Sequence, residues 1–226
     1  MSLHPELVQA MAALPRGVRW HMAGRARSFP LGDLCDEVPV EGRILEIGCG
    51  HGLVAASLAL QSPGRQVVGY DIDAGKIRVA EQVAAAVAAA GGHLAVGVGG
   101  GGGDGGSPVP AGPWDAVVIA DVLYLLAPGD QEAILAAAAD ELAPGGVLVL
   151  KELDDGPVPK VAFARAEELL ATRVLRITAG SHLHWRSAAS WAALLEQAGL
   201  RATVRRVHRG YPYPHALIVG RRRPSA

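Results

Sequence analysis

Aromatic side chains are rare in this chain of 226 residues, which has four Trp, four Tyr and two Phe. Alanine, glycine and arginine are abundant instead. Such a bias reflects genomic base composition, so alanine-rich stretches carry no functional weight. Cysteine is nearly absent. Cys35 and Cys49 can pair only once, and Cys49 lies inside a glycine-rich loop, so two reduced thiols are expected. No CxxC or Cys/His spacing points to zinc, and no metal is expected. Long apolar runs are missing too. The N-terminus lacks the apolar core of a signal peptide, and no run approaches the roughly 20 residues of a membrane span. Net charge is only −1, which gives no bulk electrostatic case for nucleic acid or membrane. These absences lead to the expectation of a cytoplasmic protein with no membrane span and no nucleic-acid partner.

What remains is a globular composition, half hydrophobic, long enough for one α/β domain. Residues 1–40 read as a helical lead-in or lid, with short helices over 5–13 and 30–38. Between them lie Arg16, Arg19, Arg25 and Arg27, interleaved with Trp20, His21 and Phe29. From residue 43, strand and helix alternate. Strands are expected at 43–47, 66–72, 94–98, 116–120 and 147–150. Helices are expected at 52–60, 74–90 (capped by Asp73, with Ile77, Ala80, Ala84 and Val87 on one face) and from Pro128 to the turn Pro144-Gly145-Gly146. The tract 99–106 is a glycine loop, because ordering so many glycines costs too much entropy. Beyond residue 153 the pattern predicts helices at 160–173 and 188–198, then two closing strands at 202–207 and 216–219. Strands alternating with helices predict a mostly parallel sheet covered on both faces, spanning residues 41–226 as one domain.

Three segments carry chemistry. The first is Glu46-Ile47-Gly48-Cys49-Gly50-His51-Gly52, a strand ending in glycines that opens a helix and brings bare backbone close to a ligand. The position three after Gly50 is Leu53, which fits the dinucleotide pattern G-x-G-x-x-G/A poorly. The second is Val67-Val68-Gly69-Tyr70-Asp71-Ile72-Asp73, which places a carboxylate at a strand end, where it can accept two hydrogen bonds from a diol. The third is the run from Trp114-Asp115 through Ala120 and Asp121 to Leu126. In order and spacing, residues 41–153 resemble the class I S-adenosylmethionine (SAM)-dependent methyltransferases.

That resemblance implies a Rossmann-like seven-stranded sheet with its last strand antiparallel, SAM as cofactor and S-adenosylhomocysteine as product. It implies a cradle of Glu46, Gly48, Cys49, Gly50 and Gly52. Glu46 would hold the methionine end, Asp71 the ribose, Ile72 and Asp104 the adenine, and Ala120 and Asp121 would lie near the sulfonium. Leu123 and Tyr124 would line the substrate side. Asp104 also reads as a solvated loop aspartate, since it sits in the glycine tract.

Methyl transfer chiefly requires alignment and exclusion of water, and a base only for some nucleophiles. His182 and His184 share one face of an extended segment beside Trp185 and are candidate bases with Tyr124. Lys151, Glu152, Asp154 and Asp155 follow strand five. Tyr211-Pro212-Tyr213-Pro214-His215 joins the last strands, and the N-terminal arginines suit an anionic substrate. The expected acceptor is a small molecule or a lipid-like acid. The rivals are a non-catalytic SAM-binding protein, an NAD(P)-dependent oxidoreductase and an aminopropyl transferase. Leu53 disfavours the oxidoreductase, and the Leu-rich segment after Asp121 disfavours the aminopropyl transferase.

Overall fold

The computed structural model of the protein describes residues 3–99, 107–156, 160 and 184–224. Its strands are β1 (Glu41–Ile47), β2 (Gly64–Asp71), β3 (His93–Val98), β4 (Trp114–Ala120), β5 (Leu142–Leu153), β6 (Arg201–Arg206) and β7 (His215–Arg221). They form one sheet in the order β3-β2-β1-β4-β5-β7-β6. The pairs β1·β2, β1·β4, β2·β3 and β4·β5 are parallel. β7 runs antiparallel to both β5 and β6. The chain leaves β1 toward β2 and β3 on one side, then returns to start β4 on the other. Such a reversal opens a crevice beyond the carboxyl ends of the flanking strands.

Side-chain alternation along the central strands builds two apolar layers. Ile44, Ala116, Val118, Val147 and Val149 face one layer, while Leu45, Val117, Ile119, Leu148 and Leu150 face the other. The first layer is covered by α4 (Leu53–Gln61), by α5 (Ala74–Ala89) and by three N-terminal helices, α1 (Pro5–Ala13), α2 (Arg16–Ser28) and α3 (Leu31–Cys35). The second is covered by α6 (Pro128–Asp140) and α7 (Ala188–Gln197). Among the described residues, no helix is long and apolar enough to cross a membrane.

The N-terminal helices share the main core: Leu7, Met11, Leu14, Met22, Phe29 and Leu34 are all buried in it. A buried arginine fixes their exit. Arg65 of β2 donates from Nε to Pro39 O (2.6 Å) and from its terminal nitrogens to the carbonyls of Cys35, Val38 and Leu58 and to Gln61 Oε1. A guanidinium presents five donors in a rigid fork, so one side chain gathers the ends of α3 and α4 onto the start of β2.

Several local details depart from the sequence expectation. Helix α2 spans residues between the two expected lead-in helices. Only Met22 of it is fully buried, so its sequence carries little helical periodicity, and tertiary contacts stabilise it. On α5 the buried positions are Ile77, Ala80, Val83 and Val87, with Val83 in place of Ala84. Strand β5 begins at Leu142 and not at 147. Trp114 pairs with Leu142 and Ala116 with Val147, so the Pro144-Gly145-Gly146 turn is a bulge within the strand. The expected helix at 160–173 lies outside the described residues except for Lys160.

Candidate active site

The crevice between β1 and β4 holds a cavity of about 680 Å³. The glycine loop forms its floor. Gly48 and Gly50 both take positive φ (76° and 54°), which L side chains rarely adopt. They differ in surroundings: a Cβ at Gly48 would lie 2.3 Å from Val122, whereas at Gly50 it would meet nothing within 4 Å. Gly48 is therefore required for packing, while Gly50 presents bare backbone to open space. The N–H groups of Gly48 and Cys49 both donate to Tyr70 O, tying the loop to β2. Burial pushes the Cys49 thiol well up, so it is an inert, neutral wall.

Three carboxylates border this floor, each in a different state. Asp71 accepts from Gly50 N–H (2.8 Å) on one oxygen and Asp73 N–H (2.9 Å) on the other. Each oxygen keeps a further lone pair, so the same group orders the loop and can still accept from a ligand. Asp73 caps α5 through the N–H groups of Gly75 (2.8 Å) and Lys76 (3.2 Å), the role its sequence position suggests. Glu46 is buried, and its Oε2 has no hydrogen-bond partner. Burial pushes its carboxyl up to about 8, although the nearby Arg25 charge acts against this. Burial thus favours the neutral acid, and a cation placed beside it would favour the carboxylate. Ile72 is exposed on the cavity wall.

The far wall is charged. Asp121, just past β4, has a left-handed φ of 57°, unusual for a residue other than glycine. Its carboxylate contacts the Lys151 ammonium on one oxygen and Arg25 (3.2 Å) on the other. Burial opposes its charge, yet Lys151 and Arg25 hold its carboxyl below the ordinary value. Burial pulls Lys151 down, and Asp121 offsets part of that. The Lys151 ammonium also lies 4.8 Å from the Phe29 ring centre. Glu152 accepts from the N–H groups of Val122 (3.3 Å) and Leu123 (3.0 Å), and burial lifts its carboxyl to about 8. His215 Nε2 donates to Ser28 O (2.6 Å), and burial pulls its ring down to about 3.

The cradle residues expected from sequence thus meet: Glu46, Gly48, Cys49, Gly50, Asp71, Ile72, Ala120 and Asp121 all line one cavity. Gly52 stands behind it with a φ of 83°, and a Cβ there would be in ordinary contact with Ala80 of α5. Asp104 and His182 lie outside the described residues. Tyr124 and His184 are not on this cavity's wall. Instead Tyr124 stacks on Trp185 (4.8 Å), and His184 N–H donates to Tyr124 O. Buried Gln131 clamps this region, donating from Nε2 toward the carbonyls of Leu123, Leu126 and His184 and accepting from Arg186 Nε (2.6 Å). Asp154 is structural: it accepts from Ala188 N–H (2.9 Å) at the start of α7 and from Arg206 Nε (2.7 Å). Sequence reasoning missed the imidazoles of His21 and His51, which both face the cavity. The arginine cluster was the available signal for a covering helix, but only its Arg25 reaches the cavity.

Comparison with known proteins follows this geometry. Residues 22–204 match the methyltransferase-domain family. A search of curated proteins finds no match. Among solved structures, an O-methyltransferase family protein from Burkholderia thailandensis aligns with TM-score 0.69 at 18% identity, over 96% of this chain and 62% of its own. The present chain thus spans under two thirds of that protein's length. A SAM-dependent methyltransferase from Methanosarcina mazei aligns with TM-score 0.63 at 20% identity, over 87% of this chain and 99% of its own. Magnesium protoporphyrin IX methyltransferase from Synechocystis PCC 6803, solved with bound S-adenosylhomocysteine, gives 0.65 at 16%, over 96% and 93%. With most of its length matched, the chain belongs to the methyltransferase-domain family, and its fold is shared with solved SAM-dependent methyltransferases.

Proposed function

We propose that the cavity binds SAM and that the chain transfers its methyl group to a small organic acceptor. The observation that carries this reading is the buried Glu46 carboxyl with an unpartnered oxygen, set beside a glycine whose bare side faces open space. Those two features fit the cofactor's amino acid end. Glu46 receives the ammonium, which stabilises its ionised form, and Arg25 faces the carboxylate. Asp71 takes the ribose diol with its remaining lone pairs, and Ile72 covers the adenine. Asp104 remains assigned to the adenine amino group by resemblance alone.

When bound, SAM supplies a methyl carbon already activated by a sulfonium. The protein's part is to bind, orient and exclude water. Asp121, fixed between Lys151 and Arg25, shapes the wall beyond β4, and α2 covers the crevice as part of a lid formed by the first 40 residues. His182, His184 and Tyr124 stay candidates for holding or deprotonating the acceptor. Low charge and an apolar wall of Met22, Val122, Leu125, Leu126 and Ile134 favour a small or lipid-like acceptor. The magnesium protoporphyrin IX enzyme, by its name, also acts on a small molecule. Two buried free thiols suit a reducing, cytoplasmic compartment.

Calorimetry against S-adenosylhomocysteine, NAD(H) and NADP(H) tests the cofactor. The expected outcome is binding of S-adenosylhomocysteine alone, and binding of only the nicotinamide cofactors would refute the reading. Labelled SAM incubated with a metabolite extract, followed by mass identification of the labelled product, then names the acceptor. Binding without any labelled product would favour a non-catalytic SAM-binding protein.

A further inference from the structure

His21 on α2 and His51 in the glycine loop meet edge-on, with ring centres 5.4 Å apart and planes at 68°. Both rings line the cavity. This contact and the Arg25–Asp121 ion pair at 3.2 Å join the same face of α2 to opposite sides of the crevice. The first reaches the loop after β1, the second the end of β4. Neither imidazole has a role in the reading given above.

Two cations and two carboxylates face the pair. His21 faces His51, Arg25 from its own helix and Lys76 from α5. His51 faces Lys76, Asp73, Asp71 and Arg25. Both of those aspartates already accept backbone N–H groups. Burial is the largest influence on each ring, and with the surrounding cations it favours neutral imidazole. Neutral rings attract edge-to-face, because the positive rim of one meets the negative face of the other. A proton on either ring adds another cation beside Arg25 and Lys76, and a proton on both makes the pair repel.

We propose that the His21–His51 contact is a latch that holds α2 closed over the bound cofactor, and that protonation of the pair releases it. The proposal rests on the cavity being the SAM site. The sign follows from linkage. The closed contact favours neutral rings, so closure is complete above the ordinary imidazole value of 6.5 and is lost as pH falls below it. Glu46, its carboxyl raised to about 8, also takes up a proton across this interval, so the latch is read from the difference between the wild type and a variant without the pair.

Backbone hydrogen exchange over Arg16–Ser28 on the intact protein, corrected for the intrinsic pH dependence, reads closure directly. The wild type is expected to lose protection between about pH 7.5 and about pH 5.5, and the H21F/H51F double variant to keep it within about twofold. Over the same interval, calorimetric affinity for S-adenosylhomocysteine should fall further in the wild type than in the double variant, whose remaining fall reports protonation of Glu46. The H21F variant alone keeps a ring in the contact and leaves the loop untouched, so it repeats the test should the double variant fold poorly. Protection of α2 that is indifferent to pH, or a pH response unchanged in H21F, overturns the latch. If S-adenosylhomocysteine binds at no pH, the cofactor reading fails, and the exchange comparison still decides the latch.

Discussion

The Arg25 guanidinium lies 3.2 Å from the Asp121 carboxylate, tying a helix from the start of the chain to the end of a central strand. The Arg25 side chain remains 35% exposed, so water screens this pair. Asp121 also keeps its buried Lys151 partner when Arg25 is removed. Arg25→Ala should therefore cost less than about 1 kcal/mol of stability. It should weaken S-adenosylhomocysteine binding on the order of tenfold, because a charge-assisted contact to the ligand is lost. Thermal melting and calorimetry on one preparation separate the two effects. A large loss of stability with unchanged affinity would make Arg25 a structural tie only.

Glu46 gives a pH prediction with a definite sign. Its carboxyl stands near 8 in the folded chain against 4.5 ordinarily, so the folded state binds the extra proton between those values. Its contribution to stability is therefore present below about 4.5 and is lost as pH rises toward 8. Glu46→Gln should raise stability at pH 8 by on the order of 1–3 kcal/mol relative to wild type. The gain should shrink at pH 5. The same variant should lose most affinity for S-adenosylhomocysteine. Urea unfolding at the two pH values checks the first part; an equal effect at both would show that Glu46 does not titrate between them.

Two glycines two residues apart should respond differently to alanine. Gly50→Ala pays only the left-handed backbone cost of about 1 kcal/mol, but places a methyl group against the ligand. It should fold and bind S-adenosylhomocysteine poorly. Gly48→Ala drives a methyl group onto Val122 as well, since the two would lie 2.3 Å apart. It should lose at least about 2 kcal/mol of stability. Chemical denaturation and ligand titration of both variants distinguish the roles, and equal destabilisation would contradict them.

Arg65 should be among the costliest single positions outside the cavity. Its removal leaves the carbonyls of Cys35, Val38, Pro39 and Leu58 without this donor. Arg65→Ala should destabilise by about 3–5 kcal/mol, and Arg65→Lys should recover only part, because an ammonium cannot reach in five directions. Differential scanning calorimetry reads both variants; a lysine variant as stable as wild type would show that charge alone suffices.

The extent to which the site was legible follows from how local its signals are. Glu46, the glycines, Asp71 and Asp73 occupy positions fixed by strand ends and helix starts, so spacing alone places them together. Strand β7 was legible as an apolar run, and its direction came through resemblance. Helix α2 was not legible, because Met22 is its one buried residue and its other core contacts, Val18, Ala23 and Ala26, are small and interleaved with arginines. The His21–His51 meeting depends on that helix, so no sequence interval announces it. The β5 bulge was hidden for a similar reason: Pro144-Gly145-Gly146 reads as a terminator, yet Trp114 still pairs with Leu142 before it.

The place of β7 in the sheet has a consequence for how the molecule is made on the ribosome. β6 is synthesised before β7, yet it joins the sheet only through β7, which fills the slot between β5 and β6. A nascent chain that has emerged as far as β6 has every strand bordering the cavity and an open edge on β5. That edge stays available to wrong partners until residues 215–221 leave the exit tunnel, so the vulnerable interval in biogenesis comes late, after the crevice can form.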